Sequence, residues 1–266
     1  MLPLNPSTSG NRIMPVPATA ATDLPVVELF SSIQGEGPLV GCRQIFLRLA
    51  GCNLNCAYCD TDFHMAKHCQ VESEPGCEEF VVWDNPVSLE ALLGHLRQWQ
   101  QNWPHLHHSL SLTGGEPLLH AEMLATWLPQ ISQLLPVQLE TNGTLPEALR
   151  RVVQWINWVV MDVKLASQTG EETPWQTHGE FMTAAAESSC SIKLVVGENT
   201  PQDELSRAAE LVVRCAPQAE IFLQPKTVGG KCSVPGNLLL RWQALLAGYG
   251  LSVRVVPQTH CYLAVL

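Results

Sequence analysis

Three cysteines, Cys52, Cys56 and Cys59, stand in the spacing C-x3-C-x2-C within GCNLNCAYCDTD, residues 51 to 62. No other feature of the chain constrains its fold and chemistry so tightly. Thiolates this close on a short loop can each ligate a separate iron of a four-iron cluster, because such clusters are held by cysteine sulfur. The spacing offers no fourth protein ligand. A structural metal site closes its coordination sphere, whereas a catalytic one keeps a position open for substrate or cofactor. Buried thiols or a zinc site are the alternatives these residues allow. Zinc sites usually show two paired half-sites, and no second half-site follows at ordinary spacing.

At 266 residues the chain can bury a full core, and one large α/β domain is the simplest organisation. Apolar residues make up 46% and charged residues 15%, which marks a globular chain and not a disordered one. No apolar run is long enough to span a bilayer, so no membrane partner is expected. The opening MLPLNPSTSGNRIMPVPATAATDLP lacks a basic region followed by an apolar one and a cleavage pattern. Residues 1–24 read as a flexible leader rich in Pro, Ser, Thr and Ala, with residues 25–266 as the folded domain. Ten cysteines without a signal peptide point to a reducing cytoplasm and metal ligation in place of disulfides. The formal net charge is −10, with 15 Lys and Arg against 25 Asp and Glu. Nucleic-acid binders show a basic footprint, so a small-molecule substrate is expected and no nucleic acid.

VVELFSSIQGEGPLVG (26–41) begins as a short strand and becomes a glycine-punctuated loop. QIFLRLAG follows as a buried strand, Gln44–Leu49, interrupted by Arg48. A permanent charge there needs a carboxylate or phosphate partner, or reaches solvent along its stem. Residues 63–87, with His64, His68, Cys69 and Cys77, read as an exposed lid or loop, a second metal site being the alternative. SLEALLGHLRQWQ predicts a helix capped by Ser88, with Leu89, Leu92, Leu93 and Leu96 on one face.

From Ser109 the pattern is regular. Strands are predicted at Ser109–Thr113, Val137–Thr141, Trp158–Val163, Ser191–Val196, Glu220–Gln224 and Ser252–Val256. Helices are expected around 121–134, 146–155, 176–187, 201–214 and 236–248, with Pro146 and Pro201 in first turns and Thr200 as an N-cap. This alternation implies a parallel sheet of about seven strands with right-handed crossovers, an incomplete or full (β/α) barrel.

In such barrels the active site lies at the carboxyl ends of the strands. There this sequence places Arg48 and the cysteine loop, Thr113-Gly114-Gly115-Glu116, Glu140-Thr141-Asn142-Gly143, Asp162 and Lys164, Gln224-Pro225, and Gln258-Thr259-His260, with Lys193 a less clear contribution. The TGGEP segment suits an amino-acid moiety: Gly114 and Gly115 can expose backbone groups, and an ionised Glu116 could accept bonds from an ammonium. A glycine turn is the alternative there, and an ion pair is the alternative for Glu140 and Lys164.

The C-x3-C-x2-C loop resembles the cluster motif of the radical S-adenosylmethionine (SAM) enzymes. The wider set ELFSSIQGEGPLVG, FLRLAGCNLNCAYCDT, SLTGGEPLL, LETNGT, MDVKLAS, FLQP and VVPQTHCYL resembles the 7-carboxy-7-deazaguanine synthases of that superfamily, from Val26 to the C-terminus. The resemblance implies an incomplete (β/α) barrel of the radical SAM type, a parallel sheet with helices outside. It implies conversion of 6-carboxy-5,6,7,8-tetrahydropterin to 7-carboxy-7-deazaguanine and ammonia, a 4Fe-4S cluster, SAM on its fourth iron, Mg²⁺, a homodimer and a flavodoxin- or ferredoxin-like electron donor.

By motif match, Cys52, Cys56 and Cys59 would hold the cluster and Thr61 the Mg²⁺. Ile33, Gln34, Gly35, Glu36, Arg48, Thr113 and His260 would meet the pterin, Arg48 through its carboxylate. Tyr58, Gly114, Gly115, Glu116, Glu140, Asp162, Lys164 and Gln224 would meet SAM. The sequence departs from the family in Cys261, where a lysine is common, in the three residues after Leu263, and in the 63–87 insertion. Two rivals remain at this level: another radical SAM enzyme, such as a glycyl-radical activase, and a non-catalytic iron–sulfur or zinc protein.

Overall fold

Short apolar runs separated by amphipathic helices build one open sheet with helices packed outside it. The computed structural model describes residues 23–59 and 63–266. The first half of the chain gives β1 (Val26–Ile33), β2 (Arg43–Leu49), β3 (His68–Glu72), β4 (Phe80–Asp84), α1 (Leu89–Asn102), β5 (Ser109–Gly114), α2 (Ala121–Ile131) and β6 (Val137–Thr141). Then come α3 (Pro146–Val152), β7 (Trp158–Asp162), α4 (Ala166–Thr169), α5 (Trp175–Ala184), β8 (Ser189–Val196) and α6 (Gln202–Cys215). The chain ends with β9 (Glu220–Pro225), the small hairpin β10 (Thr227–Val228) and β11 (Lys231–Cys232), α7 (Gly236–Ala247), β12 (Val253–Val255) and α8 (Thr259–Leu263).

The ten-stranded sheet has the order β12-β9-β8-β7-β6-β5-β2-β1-β3-β4. Every neighbouring pair from β12 to β2 is parallel, which gives the seven-stranded run expected from the alternation. β1 returns antiparallel against β2, and the sheet ends at β12 and β4 without closing.

Two interleaved residue sets along these strands explain the architecture. Ile45, Leu47, Leu110, Leu112, Leu139, Val159, Met161, Ile192, Leu194, Ile221 and Leu223 join the main core with helix residues such as Leu96, Leu124, Leu149, Phe181, Leu205 and Trp242. The alternate positions, including Phe46, Arg48, Thr113, Glu140, Val160, Asp162, Lys193, Val195 and Gln224, line the inner cavity. A strand's side chains alternate faces, so a single register seals the helix layer and furnishes the interior. Truncating a fully buried member such as Leu112 to alanine costs about 2–5 kcal/mol.

Local signals account for several element boundaries. Ser88 Oγ accepts from Ala91 N at 3.2 Å and starts α1. Pro146 opens α3, as expected. At α6 the expected order shifts by one residue, because Pro201 is the N-cap and Thr200 makes no cap bond. The Thr200 hydroxyl instead accepts from Gly197 N at 3.0 Å and Gln168 Nε2 at 2.9 Å.

The segment 63–87, expected as a lid or loop, carries the β3–β4 hairpin, and β3 pairs in parallel with β1. Cys69 and Val71 turn inward while His68 and Gln70 are exposed, a period of two that the loop reading passed over. Glu72 is fully buried and accepts from Ser31 N at 2.8 Å and Glu78 N at 3.0 Å. Leu24, assigned to the leader, is fully buried and bridges to Val87. Residues 1–22 of that leader lie outside the described residues. No helix among the described residues is long and apolar enough to cross a membrane.

Candidate active site

A cavity of about 810 Å³ lies at the carboxyl ends of the parallel strands. Cys52, Cys56 and Cys59 border it, as do Ile33, Gln34, Gly35, Glu36, Arg48, Tyr58, Thr113, Gly114, Gly115, Glu140, Asp162, Lys164, Gln224 and His260. Sequence reasoning had named all of these. Thr61 lies outside the described residues. Glu116 is set apart from the others: it is fully buried and does not line the cavity. Its carboxylate accepts from Thr141 Oγ1 at 2.9 Å, Asn142 N at 2.8 Å and Leu118 N at 3.0 Å. Burial pushes its pKa up against those bonds.

The cysteine loop is anchored from three directions. Ala57 N donates to Thr169 O at 2.9 Å, and Asn55 N to Glu171 Oε1 at 3.2 Å. Asn142 Nδ2 donates to Asn53 Oδ1 at 2.9 Å and approaches Cys52 Sγ at 4.0 Å. The TGGE turn passes the start of the loop so closely that a Cβ on Gly115 would overlap the Gly51 carbonyl oxygen. Glycine there is a packing requirement as well as an opening toward ligand. Burial raises the pKa of the Cys52 and Cys56 thiols, so metal loading must release protons.

Beside the loop, Lys164 Nζ lies 2.8 Å from Asp162 Oδ2 and donates to Tyr58 Oη at 2.9 Å. Burial would lower the Lys164 pKa, but the Asp162 charge outweighs it and the ammonium is held well above its usual range. Burial, then the Asp162 charge, pushes the Tyr58 phenol up, so it stays protonated. Asp162 Oδ1 and Gln224 Oε1 are buried without a hydrogen-bond partner among the described residues. Buried acceptors are normally satisfied, and both residues line the cavity, so these oxygens suit donors from a ligand.

Another part of the wall is built by β1 and β2. Phe30 and Phe46 stack with ring centroids 5.0 Å apart, and the Arg48 guanidinium lies 5.8 Å from the Phe30 centroid. Below it, Gln34 Nε2 donates to Gln44 Oε1 and to Glu140 Oε1, each at 2.8 Å. Ser111 Oγ, Thr113 Oγ1 and Gln138 Nε2 also donate to Glu140, at 3.1, 3.2 and 3.1 Å. The carboxylate is thus oriented by neutral donors, and it does not pair with Lys164. Sequence reasoning did not name Gln44, Ser111 and Gln138 as site residues. A polar residue at every second position of an apolar strand was the available signal. It also passed over Gln168 and the cavity-lining Leu266.

The arrangement fits an iron–sulfur cluster with one open iron. Three sulfurs reach one cavity from an anchored loop, next to unsatisfied oxygens that suit a polar ligand. Among the described residues, no three His, Cys, Asp or Glu side chains converge on one metal ion. Thiolates that each take a different iron need no such convergence. His68 is exposed and Cys69 buried on opposite faces of β3, so those two do not converge in the second metal site considered from sequence.

Residues 47–212 match the family model of the radical SAM superfamily. The 7-carboxy-7-deazaguanine synthase of Geobacter sulfurreducens is 42% identical over 241 residues, 90% of this chain and 96% of that protein. The synthase of Methanothermobacter thermautotrophicus is 31% identical, over 89% of this chain and 95% of its own. Among solved structures, QueE from Escherichia coli shares the fold with a TM-score of 0.54 at 19% identity, covering 88% of this chain and 94% of that one. The chain belongs to the radical SAM superfamily and, within it, to the 7-carboxy-7-deazaguanine synthases.

Proposed function

We infer that this chain converts 6-carboxy-5,6,7,8-tetrahydropterin to 7-carboxy-7-deazaguanine by ring contraction. Substrate and product differ by one ammonia, so the conversion needs no net oxidant. The observation that carries the reading is the shared cavity, lined both by the cysteine loop and by Arg48, Gln34 and Glu140. A cluster held by Cys52, Cys56 and Cys59, with SAM on its open iron, supplies one-electron hydrogen abstraction when bound.

The chain's own residues bind, orient and shield. Arg48 offers a permanent positive charge to the substrate carboxylate. Gln34, Ser111 and Thr113 hold Glu140 in one orientation, ready for N–H groups of a ligand. Asp162 Oδ1 and Gln224 Oε1 offer acceptors to SAM. The Phe30–Phe46 stack supplies an apolar wall, and exclusion of water protects a reactive species.

The finer assignments follow from the same reading. Thr61, two residues beyond Cys59, supplies one oxygen to Mg²⁺, which takes few protein ligands and keeps substrate oxygens and waters. The enzyme works as a cytoplasmic homodimer, and a flavodoxin- or ferredoxin-like protein delivers the electron. Anaerobic reconstitution with iron and sulfide tests the cofactor assignment: iron and sulfide at four per chain, with visible cluster absorption, support it. A colourless zinc-loaded protein refutes it.

A further inference from the structure

The carboxamide of Gln258 joins three segments far apart in sequence. Its Nε2 donates to Glu36 Oε1 at 3.1 Å, and its Oε1 accepts from Thr227 N at 3.2 Å. The next residue continues the contact, because Thr259 N donates to Gly35 O at 2.9 Å. His260 then lies so close to Gly35 that a Cβ there would overlap the imidazole. The other Glu36 oxygen accepts from Lys193 Nζ at 2.8 Å, so both carboxylate oxygens are engaged by the chain itself. Burial opposes ionisation of Glu36, yet the Lys193 charge wins and holds its pKa down at about 2.

We propose that Gln258 is a positioning residue for the carboxypterin, a clasp that locks the C-terminal segment onto the Gln34–Glu36 loop. The proposal rests on the functional reading above, which places that loop on the substrate side of the cavity. Glu36 then serves as the strut between Lys193 and the clasp, not as a group offered to substrate. Only a side chain that donates on one side and accepts on the other can satisfy Glu36 and Thr227 N together. Gln258, His260, Gly35 and Glu36 all border the cavity, so opening the clasp displaces its substrate wall. Among the described residues, the cysteine loop, Asp162 and Lys164 make none of the clasp's hydrogen bonds, and Asp162 meets its strut only through Lys193 at 3.6 Å, so the SAM side should keep its shape.

The test measures equilibrium binding of the carboxypterin and, separately, of SAM to the anaerobic cluster-loaded protein, without reductant. Gln258→Leu should weaken carboxypterin binding about tenfold, the scale of a lost hydrogen bond to a charged group, and leave SAM affinity within about twofold. Hydrogen exchange should accelerate in residues 258–266 of that variant. Gln258→Glu alone sets two carboxylates against each other and should weaken binding as well. Combining it with Glu36→Gln returns a donor–acceptor pair with a single negative charge, moved from position 36 to position 258, and should recover most of the affinity. The carboxamide oxygen introduced at position 36 can still accept from Lys193, and Asp162 stays 3.6 Å from that ammonium. Equal carboxypterin affinity in wild type and Gln258→Leu, equal losses for both ligands, or no recovery in the double exchange overturns the proposal alone. Failure of the wild type to bind the carboxypterin overturns the functional reading and the proposal with it.

Discussion

Arg48 Nε donates to Glu28 Oε1 at 2.6 Å, across directly paired positions of β2 and β1. The pair borders the cavity, with the guanidinium against the Phe30 ring. On the proposed function, Glu28 aims Arg48 toward the substrate carboxylate. Arg48→Ala should retain the cluster and uncoupled SAM cleavage but lose most carboxypterin turnover. The loss of a buried charge-assisted pair costs about 2–5 kcal/mol. Steady-state kinetics check this, and an unchanged apparent affinity and turnover would mean that Arg48 serves only its pairing with Glu28.

On the proposed assignment, each of Cys52→Ala, Cys56→Ala and Cys59→Ala removes one of three protein ligands and should abolish the cluster and SAM cleavage. Iron content and 5′-deoxyadenosine formation report the outcome. Near-native values in any single variant contradict the assignment.

His178 is fully buried and bridges two strand-end loops. Its Nδ1–H donates to Gly143 O at 3.0 Å, and its Nε2 accepts from Lys164 N at 3.1 Å, so the ring must be neutral. Burial holds its pKa down at about 4 against the Gly143 carbonyl and the Asp162 charge. A folded pKa below the unfolded value near 6.5 means that this stability is complete above about pH 6.5. It is lost as pH falls toward 4, by up to about 3 kcal/mol. Urea unfolding at pH 7 and pH 4 should therefore show a smaller acid loss in His178→Gln than in wild type. Equal losses would show that His178 does not titrate with unfolding.

Thr61→Val should keep the cluster, since valine preserves shape, and should weaken the Mg²⁺ dependence of turnover. The competing role for Thr61 is a bond to a nearby backbone group. Titrating Mg²⁺ into chelator-treated wild type and variant decides between them, and superimposable curves would exclude Thr61 as the ligand.

The parallel run was legible because its strands read as apolar segments between capped or proline-initiated helices. The cavity was legible because Arg48, Thr113, Glu140, Asp162 and Gln224 fall at or near strand ends. What escaped depended on partners distant in sequence. Gln44, Ser111 and Gln138 sit inside strands, and only alternation around the sheet turns them into a polar floor. Lys193, between Ile192 and Leu194, becomes intelligible once Glu36 and Asp162 are found 2.8 and 3.6 Å away. Glu116 shows the reverse case: a carboxylate next to two glycines suited a ligand, but the turn folds it back onto Thr141 and Asn142. The β3–β4 hairpin was obscured by its polar, cysteine-rich composition, although Cys69 and Val71 already marked a buried face.

The central claim is tested most directly by one anaerobic turnover. The reconstituted protein is incubated with 6-carboxy-5,6,7,8-tetrahydropterin, SAM, dithionite and Mg²⁺, and the mixture is read by mass spectrometry. The account predicts 7-carboxy-7-deazaguanine, with one ammonia released for each molecule formed. SAM cleaved to 5′-deoxyadenosine while the carboxypterin is recovered unchanged would contradict it.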